Sequence, residues 1–224
     1  MKSLDEITIP IAARASELSR VQVDEVLEEL RQFYPRAKFD SVWMETSGDK
    51  DLITSLRFMD KTDFFTKEID YLILEGKVRA AIHSAKDLPD PLKDGLCCAA
   101  ITKGVDSSDV LVFRDGEDFD SLMDGDKIAT SSLRRSEMIL ELGRQFQIVD
   151  IRGTIAQRLS LLERGDVDAV VVAESALIRL KLLSKSRMKL SGPAADLQGQ
   201  LAVVVNKDDE EMIRLFSCID SRKI

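Results

Sequence analysis

Val78-Arg79-Ala80-Ala81-Ile82-His83-Ser84-Ala85-Lys86-Asp87-Leu88-Pro89 passes within a few residues from an apolar run to a cluster of polar side chains. Val78 to Ile82 reads as a short buried strand, and His83 to Asp87 as the loop beyond its carboxyl end. Ligands of open parallel sheets bind at that end, where loops from several strands meet. Working outward, strand-length apolar runs alternate with helical patterns, the signature of an α/β fold with largely parallel sheets. Ile7 to Ile11 reads as a strand, and Ser16 can cap a helix through Val21, Val26, Leu27 and Leu30. A second strand lies near Phe39 to Met44, and Phe65 to Leu74 carries Ile69, Leu72 and Ile73 on one helical face before Gly76.

The second half repeats this order. Strand Lys127 to Ala129, helix Leu133 to Leu142, strand Gln147 to Ile151, helix Ile155 to Arg164, strand Asp168 to Ala173 and a helix from Ser175 follow one another, with Gly143 and Gly165 as stops. Val105 to Gly125, rich in Asp, Ser and Gly, is the expected crossing between two lobes, and Ser184 to Asp196 is the other candidate. Leu201 to Val205 is a buried strand expected to return to the first lobe, ahead of a short helix around Glu210 to Cys218. The expected division is residues 1–99 plus 194–224 for the first lobe and 100–193 for the second.

Composition narrows the function. A net charge of −8 argues against nucleic acid or an anionic membrane as the main partner, and no run approaches a membrane-spanning length. Three cysteines, two of them adjacent at Cys97 and Cys98, cannot build a disulfide framework, and no Cys/His cluster has zinc spacing; Cys97 and Cys98, between Leu96 and Ala99, read as buried strand residues. No signal peptide is expected at the start, so a reducing cytoplasm fits best. Between Thr130 and Leu180 there are seven arginines and no lysine. Bidentate capture of carboxylate or phosphate prefers the planar guanidinium fork, whereas a solvated helix surface balanced by Glu137, Glu141, Glu163 and Asp166 would be indifferent to that choice. Both readings stay open on pattern alone.

The polar loops in chain order resemble those of porphobilinogen deaminases. The match runs through Ala13-Arg14-Ala15-Ser16-Glu17-Leu18, Thr46 to Asp49, Phe65-Thr66-Lys67-Glu68 and, most sharply, His83-Ser84-Ala85-Lys86-Asp87-Leu88-Pro89. It resumes at Thr130 to Arg135, Arg152-Gly153-Thr154, Arg158-Leu159, Asp168-Ala169 and Leu177-Ile178-Arg179-Leu180. The resemblance implies two lobes like those of type II periplasmic binding proteins, with mixed, mainly parallel sheets and an interlobe cleft. It implies hydroxymethylbilane synthase activity in porphyrin and heme synthesis: four porphobilinogen units joined, with loss of ammonia, into a linear tetrapyrrole. Porphobilinogen and the growing pyrrole oligomers, each unit bearing two carboxylates, are the expected partners of a monomeric enzyme. By resemblance Asp87 is the catalytic acid beside cationic intermediates. Arg14, Ser16, Lys86, Thr130, Ser131, Ser132, Arg134, Arg135, Arg152, Gly153, Arg158 and Arg179 hold substrate or cofactor, while Asp49, Phe65 and Lys67 support the loops. His83, the sole histidine, is expected to tie the next loop by a hydrogen bond.

The chain departs from the family pattern at several points. Thr62 and Asp63 stand where a lysine and a glycine are usual, with Lys61 one position away; Ala12-Ala13 and Ala129-Thr130 replace Gly-Thr pairs, and Thr154 replaces an asparagine. The family's third domain, whose cysteine carries a dipyrromethane cofactor, is expected to be absent. Cys218 lacks the Gly-Gly-Cys setting of the attachment loop and is expected instead to fill an apolar helix position. Several accounts stay open: a free or noncovalently held dipyrromethane primer, a relic that binds pyrrole carboxylates without turnover, a separately supplied third domain, or a two-lobe solute-binding or sensor protein.

Overall fold

The computed structural model describes residues 8–55, 57 and 62–223. Ile7, read above as the start of the first strand, and Lys61, beside Thr62, lie outside the described residues. The chain opens with β1 (Thr8–Arg14), α1 (Glu17–Arg31), β2 (Lys38–Met44), the one-turn α2 (Ser47–Lys50), α3 (Lys67–Leu74), β3 (Ala80–Ser84) and β4 (Leu96–Ile101). It continues with β5 (Asp109–Phe113), β6 (Lys127–Ala129), α4 (Leu133–Leu140), β7 (Gln147–Val149), α5 (Ile155–Glu163), β8 (Ala169–Ala173), α6 (Glu174–Arg179) and β9 (Arg187–Lys189). It closes with β10 (Leu201–Asn206) and α7 (Glu210–Phe216). Two compact units result: Met1–Lys50, Lys61–Val105 and Gly199–Ile224 form one, Asp51–Asp60 and Asp106–Gln198 the other.

Each unit is built on a five-stranded sheet, ordered β2-β1-β3-β10-β4 in the first and β7-β6-β8-β5-β9 in the second. In the first sheet β1 pairs parallel with β2 and β3, and only β10 runs against its neighbours. In the second, β6 pairs parallel with β7 and β8, and only β5 is reversed. The reversed strand is in both cases the first one after the chain crosses between units. Helices cover both faces of a parallel sheet, so its strands must be apolar on both sides. Ala169 to Ala173 and Leu201 to Val205 are accordingly buried throughout.

In α1 the side chain of Ser16 caps the first turn by accepting from Ser19 N at 3.2 Å. Val23, Val26, Leu27 and Leu30, spaced for one helical face, pack with Met212, Leu215 and Phe216 of α7 against one side of the first sheet. Each such buried side chain contributes roughly 1.5–3 kcal/mol. Ile69 and Ile73 of α3 cover the other side.

Three expectations require correction. The chain does pass between units at the start of the interval Val105 to Gly125, between Val105 and Asp106, but the interval also contains β5, all five residues of which are buried. Its polar flanks masked the run Val110-Leu111-Val112-Phe113. Ser184 to Asp196 likewise contains β9. Cys97 and Cys98 lie on a strand, but they are half-buried because β4 is the edge of its sheet.

Asp70 of α3 is 1% exposed, and its carboxylate accepts one hydrogen bond, from Thr66 Oγ1 at 2.9 Å. Burial pushes this carboxyl up to about 6, against the pull of Thr66. The folded state therefore holds the proton more tightly than the unfolded chain does. The resulting stabilisation is complete below the ordinary carboxyl value of 3.8 and is lost as pH rises through about 6. Asp70→Asn keeps an acceptor for Thr66 and removes the charge. It is expected to raise stability at neutral pH by about 1–3 kcal/mol and to flatten the stability profile across that window. Denaturant unfolding at several pH values checks this, and a variant less stable than the parent at neutral pH would refute it.

Candidate active site

Arg14 is the last residue of β1, and the register Ala12↔Ala81 brings it level with His83 on β3. Its guanidinium is held from two directions. Nε donates to Asp49 Oδ1 at 3.1 Å and Oδ2 at 3.2 Å, Nη2 also contacts Asp49, and Arg14 Cζ lies 4.5 Å from the centroid of the Phe65 ring. Asp49 in turn accepts from Thr46 N at 3.1 Å and Thr46 Oγ1 at 2.8 Å. Burial alone would raise the Asp49 carboxyl; the bonds from Arg14 and Thr46 outweigh it and hold the group below its ordinary value. Gly48 passes so close to Phe65 that an added Cβ would stand 2.5 Å from the ring. Ser47 N donates to Glu68 at 2.8 Å. The motifs at Arg14, Thr46 to Asp49 and Phe65 to Glu68 thus form one packed group, from which Lys67 points away, exposed.

Asp87 ends the tight turn Ala85–Asp87 that follows β3. That turn is pinned by Ala85 N donating to Gln200 O at 3.0 Å and Leu88 N to Ala85 O at 3.3 Å. Asp87 and Lys86 are both half-buried. Asp87 lines a polar depression with Arg14, Gln22, Phe65, Thr66, His83 and Ser84, and Gln22 Nε2 donates to Ser84 Oγ at 2.9 Å. Among the described residues no hydrogen bond reaches the Asp87 carboxylate. Gln22 carried no sequence signal beyond its helical position.

His83 departs from expectation. Only 5% exposed, it has no hydrogen-bond partner at Nε2 among the described residues, so that nitrogen does not tie the following loop. Its strand position aims the ring beside Arg14, and burial together with that cation pushes its pKa down to about 4.

In the second unit, Thr130, Ser131 and Ser132 follow the carboxyl end of β6. Thr130 Oγ1 accepts from Ser132 N at 3.2 Å, Ser131 Oγ accepts from Ile151 N at 2.9 Å, and Ser132 Oγ caps α4 by accepting from Arg135 N at 3.4 Å. Arg152 donates to Thr54 O and Asp51 O, both at 2.8 Å. Gly153 has φ 95°, and an added Cβ would meet Gln157, the residue that completes the capping box of α5 with Thr154. Arg158 Nε donates to Gly153 O at 3.0 Å, and Arg179 is buried on α6. Arg134 and Arg135 converge on Asp109, whose side chain is 0% exposed. Asp109 escaped notice because it stands in the polar stretch Asp106-Ser107-Ser108-Asp109. A charge opening a fully apolar strand was the available signal, since a buried carboxylate needs a countercharge. The expected row of open guanidinium forks is therefore partly occupied: Arg14, Arg134 and Arg135 already meet carboxylates of the chain.

Residues 9–214 match the family model described as porphobilinogen deaminase, dipyromethane cofactor binding domain. The chain belongs to the porphobilinogen deaminase family. A probable porphobilinogen deaminase of Chlamydia pneumoniae is 39% identical over 93% of this chain and 88% of its own length. The porphobilinogen deaminase of Brevibacillus brevis is 36% identical over 94% of this chain and 69% of its own length, so the chlamydial relative is the shorter of the two. Solved structures share the fold. The second substrate binding domain of a putative amino acid ABC transporter from Streptococcus pneumoniae is 11% identical with a TM-score of 0.59, covering 95% of this chain and 91% of that one. A periplasmic substrate-binding protein of an ABC transporter from Coxiella burnetii is 14% identical with the same TM-score of 0.59, covering 95% and 92%. The architecture is that of a type II periplasmic-binding-protein-like α/β protein.

Members of the porphobilinogen deaminase family bind a dipyrromethane, which calls for cationic donors, an acid and a thiol anchor. Cations and acid are present. The thiols stand elsewhere: Cys97 and Cys98 pair with Val205 and Val204, several residues down β10 from Leu201, which faces Ser84. At about 3.3 Å per residue they lie roughly 10 Å or more from the Asp87 edge of the sheet. Cys218 sits near Glu29, in the last turn of α1. That helix starts beside Arg14 and rises about 1.5 Å per residue, so Cys218 is at its far end. Burial raises the pKa of all three thiols, which disfavours the nucleophilic thiolate. Among the described residues, no group of three or more His, Cys, Asp or Glu side chains is placed to hold a metal ion.

The buried state of His83 is open to direct test. In an NMR titration the single imidazole is expected to stay neutral through the range where histidines ordinarily titrate, with its midpoint near 4. A midpoint close to 6.5 would show the ring to be solvated or paired with an acid.

Proposed function

We propose that this chain is a hydroxymethylbilane synthase, a transferase that joins four porphobilinogen units into a linear tetrapyrrole with loss of ammonia. The observation that carries this reading is the Asp87 carboxylate, without a hydrogen bond among the described residues, on a pinned turn beside Lys86 and in a depression shared with Arg14. An acid whose neighbouring guanidinium is already paired with Asp49 is free to act on bound substrate. Departure of ammonia leaves an electron-poor azafulvene, and attack by the next pyrrole leaves a cationic ring that must lose its α-proton. Asp87 would stabilise both positive charges and move the protons involved, each through the same carboxylate.

The substrate's acetate and propionate arms call for cationic donors. Lys86 supplies one in the first unit, and Arg134, Arg152, Arg158 and Arg179 supply them in the second, joined by the hydroxyl of Ser16 and the α4 terminus after Ser132. Arg14, stacked on Phe65 and paired with Asp49, fixes the wall beside Asp87. A dipyrromethane, when bound, supplies a primer for chain growth. The thiol placements argue against a thioether to Cys97, Cys98 or Cys218, since none of the three neighbours Asp87. Three free cysteines and no helix among the described residues long and apolar enough to cross a membrane are consistent with a cytoplasmic site of action.

Purified protein incubated with porphobilinogen is expected to release hydroxymethylbilane, read as uroporphyrin after cyclisation and oxidation. Asp87→Asn keeps the size of the side chain and removes its charge, and should lower turnover by at least about 10²-fold. Retention of turnover in that variant would reject the role of Asp87. Intact mass spectrometry is expected to find no pyrrole adduct on Cys97, Cys98 or Cys218, with Cys218→Ser as active as the parent. A dipyrromethane-sized adduct mapping to Cys218 would overturn this reading of the thiols.

A further inference from the structure

Arg134 and Arg135 are adjacent in sequence, yet the structure uses them differently. Arg135, 8% exposed, turns its Nε and Nη2 edge onto Asp109 Oδ1, at 2.9 and 2.6 Å. Both nitrogens of that fork are consumed. Arg134 reaches the same carboxylate with Nη1 alone, 2.7 Å from Oδ2, an ion pair that misses the direction of a true hydrogen bond. The same Nη1 donates to Pro193 O at 2.6 Å and lies 3.4 Å from Met138 Sδ. Nε and Nη2 of Arg134 make no hydrogen bond among the described residues, and its side chain remains 23% exposed. That edge is the one a carboxylate grips in a bidentate pair.

The carboxylate between them is itself anchored. Asp109 Oδ1 accepts a third bond, from Gln198 Nε2 at 3.0 Å. Gln198 also donates to Ser107 O at 2.7 Å and Ser108 O at 3.3 Å, so it laces together the two ends of this unit at which the chain crosses. Leu190 N donates to Asp109 O at 2.9 Å. One carboxylate against two guanidiniums leaves a single positive charge uncompensated, and the geometry puts it on the open edge of Arg134.

We propose that Asp109 is a positioning residue for substrate binding: braced by Arg135 and Gln198, it holds Arg134 by one nitrogen so that the Nε–Nη2 edge presents a fixed fork to a substrate carboxylate. Arg135 is then a structural partner of Asp109 and not a substrate ligand. This rests on the hydroxymethylbilane synthase reading for the identity of the carboxylate, and on the structure alone for the fixing of Arg134.

The test is a double-mutant cycle in the full chain. Asp109→Asn combined with Arg135→Gln replaces the buried ion pair by a neutral amide pair, avoiding a stranded buried charge. Arg134→Gln in the parent is expected to raise KM for porphobilinogen at least about fivefold, with a smaller change in kcat. In the background that carries both amide substitutions, the same Arg134→Gln change is expected to add less than about twofold. An undiminished effect there would overturn the proposal. Asp109→Glu, which keeps the charge and shifts it by one methylene, runs alongside and should raise KM in the same sense; an unchanged KM would count against positioning. In parallel, the ¹⁵N signal of Arg134 Nε, assigned by its loss in Arg134→Gln, should be sharp in the parent and broadened by the Asp109 changes. If the parent neither binds nor converts porphobilinogen, the functional reading fails, and the Arg134 signal still decides whether Asp109 fixes that side chain.

Discussion

The insertion of β10, antiparallel between β3 and β4, sets the position of everything around Asp87. Its five residues from Leu201 to Val205 are each 0% exposed, so every backbone group along it must find a partner in the sheet. An all-apolar strand buried on both faces does not fix its own register, because a slip by one residue would still bury apolar side chains. Polar contacts at its start fix it instead. Thr102 N donates to Leu201 O at 2.9 Å, Leu201 N donates to Thr102 Oγ1 at 3.1 Å, and Gln200 O receives Ala85 N at 3.0 Å. The last of these bonds belongs to the turn that carries Lys86 and Asp87. The strand inserted into the first sheet therefore also orients the turn that carries Asp87.

Much of this was legible from one sequence. Period and glycine stops located the helices, because amphipathic spacing and C-terminal glycine are local properties of the chain. The loop clusters after the strands were visible as polar residues stranded between apolar runs. What stayed hidden was long-range compensation. Asp109 looked like part of a polar linker because its partners, Arg134, Arg135 and Gln198, stand 25 or more positions away. The strand β5 that it opens was hidden for the same reason. His83 was read as hydrogen-bonded because a buried imidazole usually is; its neighbour across the sheet turned out to be the cation Arg14, which no local pattern announces.

Counterions divide the carboxylates of these loops into two kinds. Asp49 and Asp109 are each met by arginine and further donors, and both are held below the ordinary carboxyl range even though burial acts in the opposite direction. Such groups stay ionised and fixed, so they can orient a guanidinium but are poorly suited to exchanging protons. Asp87 has no such partner among the described residues, although Arg14 lines the same depression. The reason is that Arg14 is already committed: Asp49 takes its Nε and Phe65 covers its face. At a separation of a few ångströms near a protein surface, one ion pair is worth about 4 kcal/mol before desolvation and screening. That is enough for Asp49 to keep Arg14 from collapsing onto Asp87.

The same accounting explains how a chain of net charge −8 can suit a substrate bearing two carboxylates per ring. Between Thr130 and Leu180 the seven arginines face seven acidic residues, so the segment is neutral by count. Position breaks the balance. Asp168 pairs with Arg114 at the amino end of β8, Asp166 with Arg164, Glu163 with Lys185, and Glu174 with Arg187. Three of these four acids precede β8 and the fourth is taken by an arginine from outside the segment, so none of the four is the partner of Arg134. Beyond about 8–10 Å, salt screens exposed charges from one another, so an anion arriving near the open edge of Arg134 responds to that charge and not to the total. Arginine without lysine in this segment is then a matter of geometry: the planar fork can be gripped on one edge by the protein and left open on the other, as at Arg134, which a single ammonium cannot do.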